Sequence, residues 1–265
     1  MPEPELLEVR ELCLSFGGVT ALDNVGLSLA AGEIGGLIGP NGAGKTSLLN
    51  CICGFYKPER GAICFGGANV LGLPIQRRAG LGLARTFQHS ELFRSMTVLE
   101  NVQVGAHTRG RASMIGEALC LPGASRAERA QREAARETLA LLDLESHAAS
   151  PAHALPLGLQ KRVGLARAVA VRPRVLLLDE PAAGLNTAEK QEMATLLRKL
   201  HDELHLSLLL IEHDMELVMA LCDRITVLDF GKCIASGPSK NVQRDPAVIA
   251  AYLGPDFLPA GGHDA

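Results

Sequence analysis

Residues 39 to 46 read Gly39-Pro40-Asn41-Gly42-Ala43-Gly44-Lys45-Thr46 and satisfy G-x-x-x-x-G-K-[ST] at every defined position. This stretch limits the possible folds more than any other, because such a loop works only between a strand and a helix. Both flanks are present. Glu33-Ile34-Gly35-Gly36-Leu37-Ile38 reads as a buried strand leading in, and Ser47-Leu48-Leu49-Asn50-Cys51-Ile52 has helical spacing leading out. Glycines let the backbone come close to an anion. The loop N–H groups and the start of the helix then face phosphate oxygens. In that geometry Lys45 reaches the β- and γ-phosphates, the Thr46 hydroxyl ligates Mg²⁺, and Ser47 opens the helix beside them. The alternative is a surface glycine turn, and the strand–loop–helix order counts against it.

A chain of 265 residues, 47% hydrophobic and with a net charge of -3, can bury a sizeable core. Near-neutral charge argues against nucleic acid as a partner, since a nucleic-acid binder usually carries a basic stripe. The start, Met1-Pro2-Glu3-Pro4-Glu5, is acidic and is not a secretory signal. The longest apolar runs, such as Leu206 to Ile211, are strand-sized and too short to span a bilayer. The expectation is a soluble protein, or one held to a membrane by a partner. Its 7 cysteines form no C-x-x-C pair and read as small buried hydrophobes in a reducing compartment.

Along the chain, Leu12, Leu14 and Phe16 alternate as one face of a strand, and a second strand runs around Val25 to Leu29. Phe16 is either the last core residue of its strand or a platform for an adenine ring. Ala62 to Phe65 is a short strand between turns, and Gly80 to Gln88 is a strand ending in a polar residue. From about 91 to 154 β-branched residues thin out. Arg126 to Leu144 is amphipathic, with Ala135, Leu139 and Leu142 on one side, Ser125 as N-cap and Glu128 completing a capping box. This block reads as a helical subdomain inserted into an α/β core. A helix follows Leu155-Pro156-Leu157-Gly158-Leu159-Gln160, with Pro156 suited to its first turn. Thr187 to Leu204 is a further helix, and a hairpin runs over 225 to 235.

Two strands end in polar clusters. Val175-Leu176-Leu177-Leu178 runs into Asp179-Glu180, and Leu206 to Ile211 runs into Glu212-His213-Asp214. The C-terminal edge of strands is where open α/β sheets bind ligands. Phosphoryl chemistry needs one carboxylate for the Mg²⁺ shell and a neighbour to orient the attacking water. Charges capping a strand are the plainer alternative, and His213 there is either simply exposed or a donor to a γ-phosphate.

Together these segments resemble an ATP-binding-cassette (ABC) ATPase over nearly the whole chain. The resemblance makes residues 39–46 the Walker A loop, Val175 to Glu180 the Walker B strand with its glutamate, and Gln88 the Q-loop glutamine. It makes His213 the switch histidine, Ala183-Gly184-Leu185-Asn186 the D-loop, and Phe16 the adenine-stacking aromatic. Leu83 to Gln88, Met96 to Val102, Asp179 to Asn186 and Ile211 to Met215 look narrower still. They are similar to the LivG-like of the two ATPases in bacterial branched-chain amino acid importers, features shared with urea and amide importers. The resemblance implies a P-loop NTPase core over 1–90 and 155–253 with an N-terminal antiparallel β subdomain, a helical subdomain over 91–154, and a flexible tail over 254–265. It implies ATP and Mg²⁺ as cofactors, with Thr46, Gln88 and Asp179 at the metal and Lys45, Glu180 and His213 in catalysis. It implies integral membrane permease subunits as partners, a second ATPase packed head-to-tail, a solute-binding protein acting indirectly, no nucleic acid, and a place on the cytoplasmic face of the bacterial inner membrane.

One segment departs from the family pattern. The signature Leu-Ser-Gly-Gly-Gln maps to Leu155 to Leu159, of which Leu155 and Gly158 match. Proline at 156 removes a hydroxyl and a backbone donor. The N–H groups of Leu157, Gly158 and Leu159 remain for a γ-phosphate held by another subunit. The departure implies a heterodimer in which this chain's own loop hydrolyses ATP and the partner's does so poorly, against the alternative that the altered signature works. Two other classes stand beside an importer subunit: a soluble cassette ATPase acting on DNA or ribosomes, and a nucleotide switch that does not hydrolyse. The single cassette and the acidic balance weigh against the first, and Glu180 against the second.

Overall fold

A computed structural model of the chain describes residues 5–86, 92–107 and 122–253. In chain order the elements are β1 (Glu5–Phe16), β2 (Val19–Ala30), β3 (Ile34–Ile38), α1 (Lys45–Cys53), β4 (Arg60–Phe65), β5 (Ala68–Asn69), α2 (Ile75–Gly80), β6 (Leu83–Arg85) and α3 (Val98–His107). They continue with α4 (Pro122–Leu141), α5 (Leu157–Val169), β7 (Val175–Asp179), α6 (Thr187–Leu204), β8 (Ser207–Ile211), α7 (Met215–Leu221), β9 (Arg224–Asp229), β10 (Lys232–Pro238), α8 (Ser239–Val242) and α9 (Pro246–Leu253). The chain divides into two compact units, Met1–Arg78 with Leu204–Ala265, and Ala79–Glu203.

The first unit holds the expected antiparallel sheet, in the order β2-β1-β4-β5. β2 starts at Val19, six residues before the segment that alternation suggests. A register shift explains the difference. Leu12 pairs with Val25 but Leu14 pairs with Leu22, and Asn24 in between takes a left-handed φ of 54°. The bulge puts Leu22 and Val25, three apart, on the buried side, and a period-2 pattern cannot register that. The same unit carries strands in the order β10-β9-β3-β8, with β3 parallel to both β8 and β9 and a β9–β10 hairpin. β3 and β8 are buried along their whole length, which is why both read as continuous apolar runs.

The second unit pairs β6 with β7 in parallel, Leu83 opposite Val175 and Arg85 opposite Leu177. The Thr86 N–H donates to the Leu177 carbonyl at 2.9 Å and holds that register. Helices α3, α4 and α5 pack together beside it. Ala135, Leu139 and Leu142 are buried as their helical spacing requires. Helix α4 begins at Pro122, so Ser125 lies inside it and is not its N-cap. Proline has no N–H to leave unsatisfied and suits a first turn. Helix α6 spans Thr187–Leu204 as expected, with Met193, Leu196, Leu197 and Leu200 buried and the terminal Leu204 exposed. Among the described cysteines, all free, Cys13, Cys51, Cys53 and Cys222 are buried, whereas Cys233 is exposed, against the expectation. Burial pushes the Cys51 thiol up to about 11.

Candidate nucleotide site

In the first unit the loop between β3 and α1 is held from below by backbone. Gly39 takes φ 146°, and a Cβ there would stand 2.0 Å from the Leu228 carbonyl oxygen. Gly44 takes φ 102°, and a Cβ there would stand 2.6 Å from the Ala21 oxygen. Only glycine fits such approaches. The Gly231 N–H donates to Ala43 O at 3.0 Å and ties the loop to the β9–β10 turn. On the other side, a Cβ at Gly42 would meet nothing within 4 Å. Pro40 is half-buried, Asn41 and Thr46 are exposed, and Ala43 is buried. The Lys45 ammonium is buried in the loop and donates to Gly39 O at 2.6 Å and Pro40 O at 2.9 Å. Helix α1 follows Gly44 with no side-chain cap and no acidic residue in its first turn, where Thr46 and Ser47 lie. Uncapped N–H groups, the positive end of the helix dipole and a lysine on flexible carbonyl contacts make an anion site.

Phe16 ends β1 and is 45% exposed, its ring 5.1 Å from that of Tyr56 in an edge-to-face contact. Of its two readings, the core one fails: the side chain keeps an open face. His213 follows β8 and is exposed, while Glu212 before it is 1% exposed. The His213 N–H donates to Glu212 Oε2 at 3.2 Å, and the same oxygen lies 3.8 Å from His213 Nδ1. Asp214 caps α7 by accepting from the Leu217 N–H. Sequence reasoning passed over Glu212 because only burial distinguishes it from an ordinary strand-end charge.

In the second unit, Asp179 ends β7 and is 3% exposed. Arg85 Nη2 donates to its Oδ2 at 2.6 Å, and the side chains of the pair are 10% and 4% exposed. Glu180 follows with φ 48°, a left-handed conformation that costs a non-glycine residue roughly 1–2 kcal/mol. Its carbonyl accepts from Lys161 Nζ at 3.2 Å and from the Ala183 N–H at 3.2 Å, contacts that hold the turn. Asn186 and Glu189 cap α6 reciprocally, Asn186 N–H to Glu189 Oε2 at 2.9 Å and Glu189 N–H to Asn186 Oδ1 at 3.0 Å. Pro156 caps α5 with φ −54° and ψ 153°, and Leu157, Gly158 and Leu159 form a first turn with no side-chain cap and no acidic residue. A Cβ at Gly158 would stand 3.1 Å from Glu189 Oε1. Gln88 lies outside the described residues.

Asp179 Oδ1 makes no hydrogen bond among the described residues, Oδ2 being the atom that Arg85 takes. The Asp179 carboxylate oxygen that Arg85 leaves open and, in the first unit, an exposed Thr46 hydroxyl are hard oxygen donors of the kind Mg²⁺ accepts. Each, taken by itself, is a donor that fits that ion.

The ABC transporter family model matches residues 22–183, and the Branched-chain amino acid ATP-binding cassette transporter model matches residues 232–255. The chain is 44% identical over 254 residues to the High-affinity branched-chain amino acid transport ATP-binding protein LivG of Escherichia coli, covering 96% of this chain and 99% of that one. Among solved structures it is similar to an ATP-binding cassette of an ABC transporter in its ADP conformation, with TM-score 0.82, 30% identity and coverage of 95% and 99%. It is also similar to a dimeric cassette in a post-hydrolysis state bound to ADP and Pi, with TM-score 0.73, 27% identity and coverage of 88% and 98%. No helix among the described residues is long and apolar enough to cross a membrane. With a loop built to take phosphates, carboxylates at a strand end and matches along nearly its whole length, the chain belongs to the ABC transporter family, as an ATP-binding cassette ATPase.

Proposed function

We propose that this chain is the ATP-hydrolysing subunit of a bacterial importer for branched-chain amino acids, seated on the cytoplasmic face of the membrane. The observation that carries the reading is the α1 N-terminus, which has no side-chain cap and stands beside a lysine whose ammonium donates to the loop carbonyls of Gly39 and Pro40. Similarity to LivG over 96% of the chain supports the solute class, and so does the match over residues 232–255.

ATP would bind with its adenine on the open face of Phe16 and its phosphates on Gly39 to Ser47. Lys45 would exchange the Gly39 and Pro40 carbonyls for β- and γ-phosphate oxygens, trading neutral acceptors for charged ones. Thr46, Gln88 and Asp179 would hold Mg²⁺, which when bound neutralises charge on the phosphates. Glu180 would polarise the attacking water, its backbone held by Lys161 and Ala183. His213, anchored by the buried Glu212, would donate to the γ-phosphate. The first turn of α5, with Gly158, would bind the γ-phosphate held by a second ATPase packed head-to-tail. Closure of that pair does work because ATP binds the closed form better than the open one. Residues 91–154 would form the subdomain that passes the motion to integral membrane permease subunits, with a solute-binding protein delivering the amino acid.

The test is uptake of radiolabelled leucine by cells in which the gene for this chain is deleted. Uptake is expected to be lost, restored by the wild-type chain and not by Glu180→Gln. Undiminished leucine, isoleucine and valine uptake in the deletion strain would refute the solute assignment. Full rescue by Glu180→Gln would refute the role of Glu180.

A further inference from the structure

We propose that Arg85 is a positioning residue for the metal, holding Asp179 through one oxygen and keeping its carboxylate from capturing a divalent cation until nucleotide is bound. The inference rests on the reading of Asp179 as a metal ligand. Asp179 sits at the end of a strand whose other four residues, Val175 to Leu178, are fully buried. A carboxylate there has lost most of its water and needs a counter-ion. The next residue, Glu180, adds a second negative charge, so the nearby chain supplies none.

Strand β6 supplies it. Arg85 pairs with Leu177, and Leu177 and Asp179 point to the same side of β7 because they are two apart. The Thr86 N–H bond to Leu177 O at 2.9 Å fixes that offset. The guanidinium then reaches Asp179 Oδ2 at 2.6 Å with both side chains at least nine-tenths buried, where solvent screens little. One carboxylate oxygen is thereby occupied and the rotamer set, while Oδ1 has no partner among the described residues.

The consequence concerns affinity. A divalent cation approaching Oδ1 meets a fixed positive charge on the same carboxylate, so Asp179 alone is a poor cation site. Nucleotide phosphates bring enough negative charge to outweigh Arg85, and metal and nucleotide enter together.

Mn²⁺ titration of the full-length, nucleotide-free protein, read by the loss of the free-ion electron paramagnetic resonance signal, tests this without turnover. The wild type is expected to bind Mn²⁺ at least about 100-fold more weakly without ADP than with it. Arg85→Gln is expected to tighten nucleotide-free binding by about tenfold or more, and adding Asp179→Asn to remove the gain. Arg85→Lys, which keeps the charge, should behave as the wild type. Arg85→Gln binding no tighter than wild type, or Arg85→Lys binding as tightly as Arg85→Gln, overturns the role of Arg85. Should Arg85→Gln not fold, the wild type still decides: tight nucleotide-free Mn²⁺ binding that Asp179→Asn abolishes also overturns it. If Asp179→Asn leaves Mn²⁺ binding with ADP unchanged, the metal assignment of Asp179 fails and this inference with it.

Discussion

Arg78 offers the sharpest test of how the phosphate loop is supported. It lies on α2, is 3% exposed, and among the described residues its hydrogen bonds go to backbone carbonyls. Nη1 donates to Cys51 O at 2.7 Å and Ile52 O at 2.8 Å, the last-turn carbonyls of α1. Nε donates to Leu73 O at 3.0 Å and Nη2 to Leu71 O at 3.1 Å. The guanidinium therefore caps the C-terminal end of the helix whose other end carries Lys45, where a cation also suits the dipole. Gly54 makes room for it: a Cβ there would stand 2.9 Å from Arg78 Cζ. Burial pulls the Arg78 pKa below its ordinary value, yet an arginine stays charged at neutral pH. Arg78→Met keeps most of the apolar stem and removes all four bonds. Cys51 O keeps the Gly54 N–H at 3.1 Å, so the buried carbonyl left unsatisfied is that of Ile52, at a cost of about 1–3 kcal/mol; the lost charge-assisted bonds add to it and the relief of an arginine's desolvation offsets part. The net expectation is a loss of about 2 kcal/mol, which for a chain of this size lowers Tm by roughly 4–8 °C. Thermal unfolding followed by circular dichroism measures it, with Arg78→Lys expected to recover part of the loss because an ammonium reaches fewer of the four carbonyls. ADP affinity should fall alongside, since the two ends of α1 are one rigid helix. If Arg78→Met melts within about 2 °C of the wild type, the capping argument is wrong.

Two further outcomes follow from the loop and the altered signature. Gly39→Ala would force a Cβ to 2.0 Å from Leu228 O, so the loop must shift, and ADP binding by calorimetry should weaken at least about tenfold; unchanged affinity would show that the close approach is unimportant. Glu180→Gln, sedimented alone with Mg-ATP, should form a homodimer if the uncapped first turn of α5 can clasp a γ-phosphate despite Pro156; a monomer that binds ATP would instead point to an obligate second ATPase with an intact signature.

Much of the site can be read from short stretches of sequence because the relevant physics is local. The strand–loop–helix around Lys45 depends on glycine conformations and helix ends within a dozen residues, and the structure has β3, the loop and α1 where the spacing puts them. The continuous apolar runs of β7 and β8 are legible for the same reason, as is α6 to its terminal residues. The polar groups after those strands stand out because a carboxylate or histidine next to four apolar residues is unusual in a buried segment.

Tertiary structure decided the partners. Nothing near Arg85 in sequence marks it as the counter-ion of a residue 94 positions away, and nothing near Arg78 marks it as the cap of a helix ending 25 residues earlier. Phe16 alternates like a core residue and is exposed, its ring meeting Tyr56 edge-on at the end of the strand. The true start of β2 was hidden by a bulge at Asn24, and that of α4 by a plausible capping-box sequence that lies inside the helix. Local sequence sets which conformations a segment can take and which chemical groups it offers. Which buried charge meets which carbonyl or carboxylate depends on strand register and helix packing, where the cost of an unpaired polar group in a dry interior selects the partner.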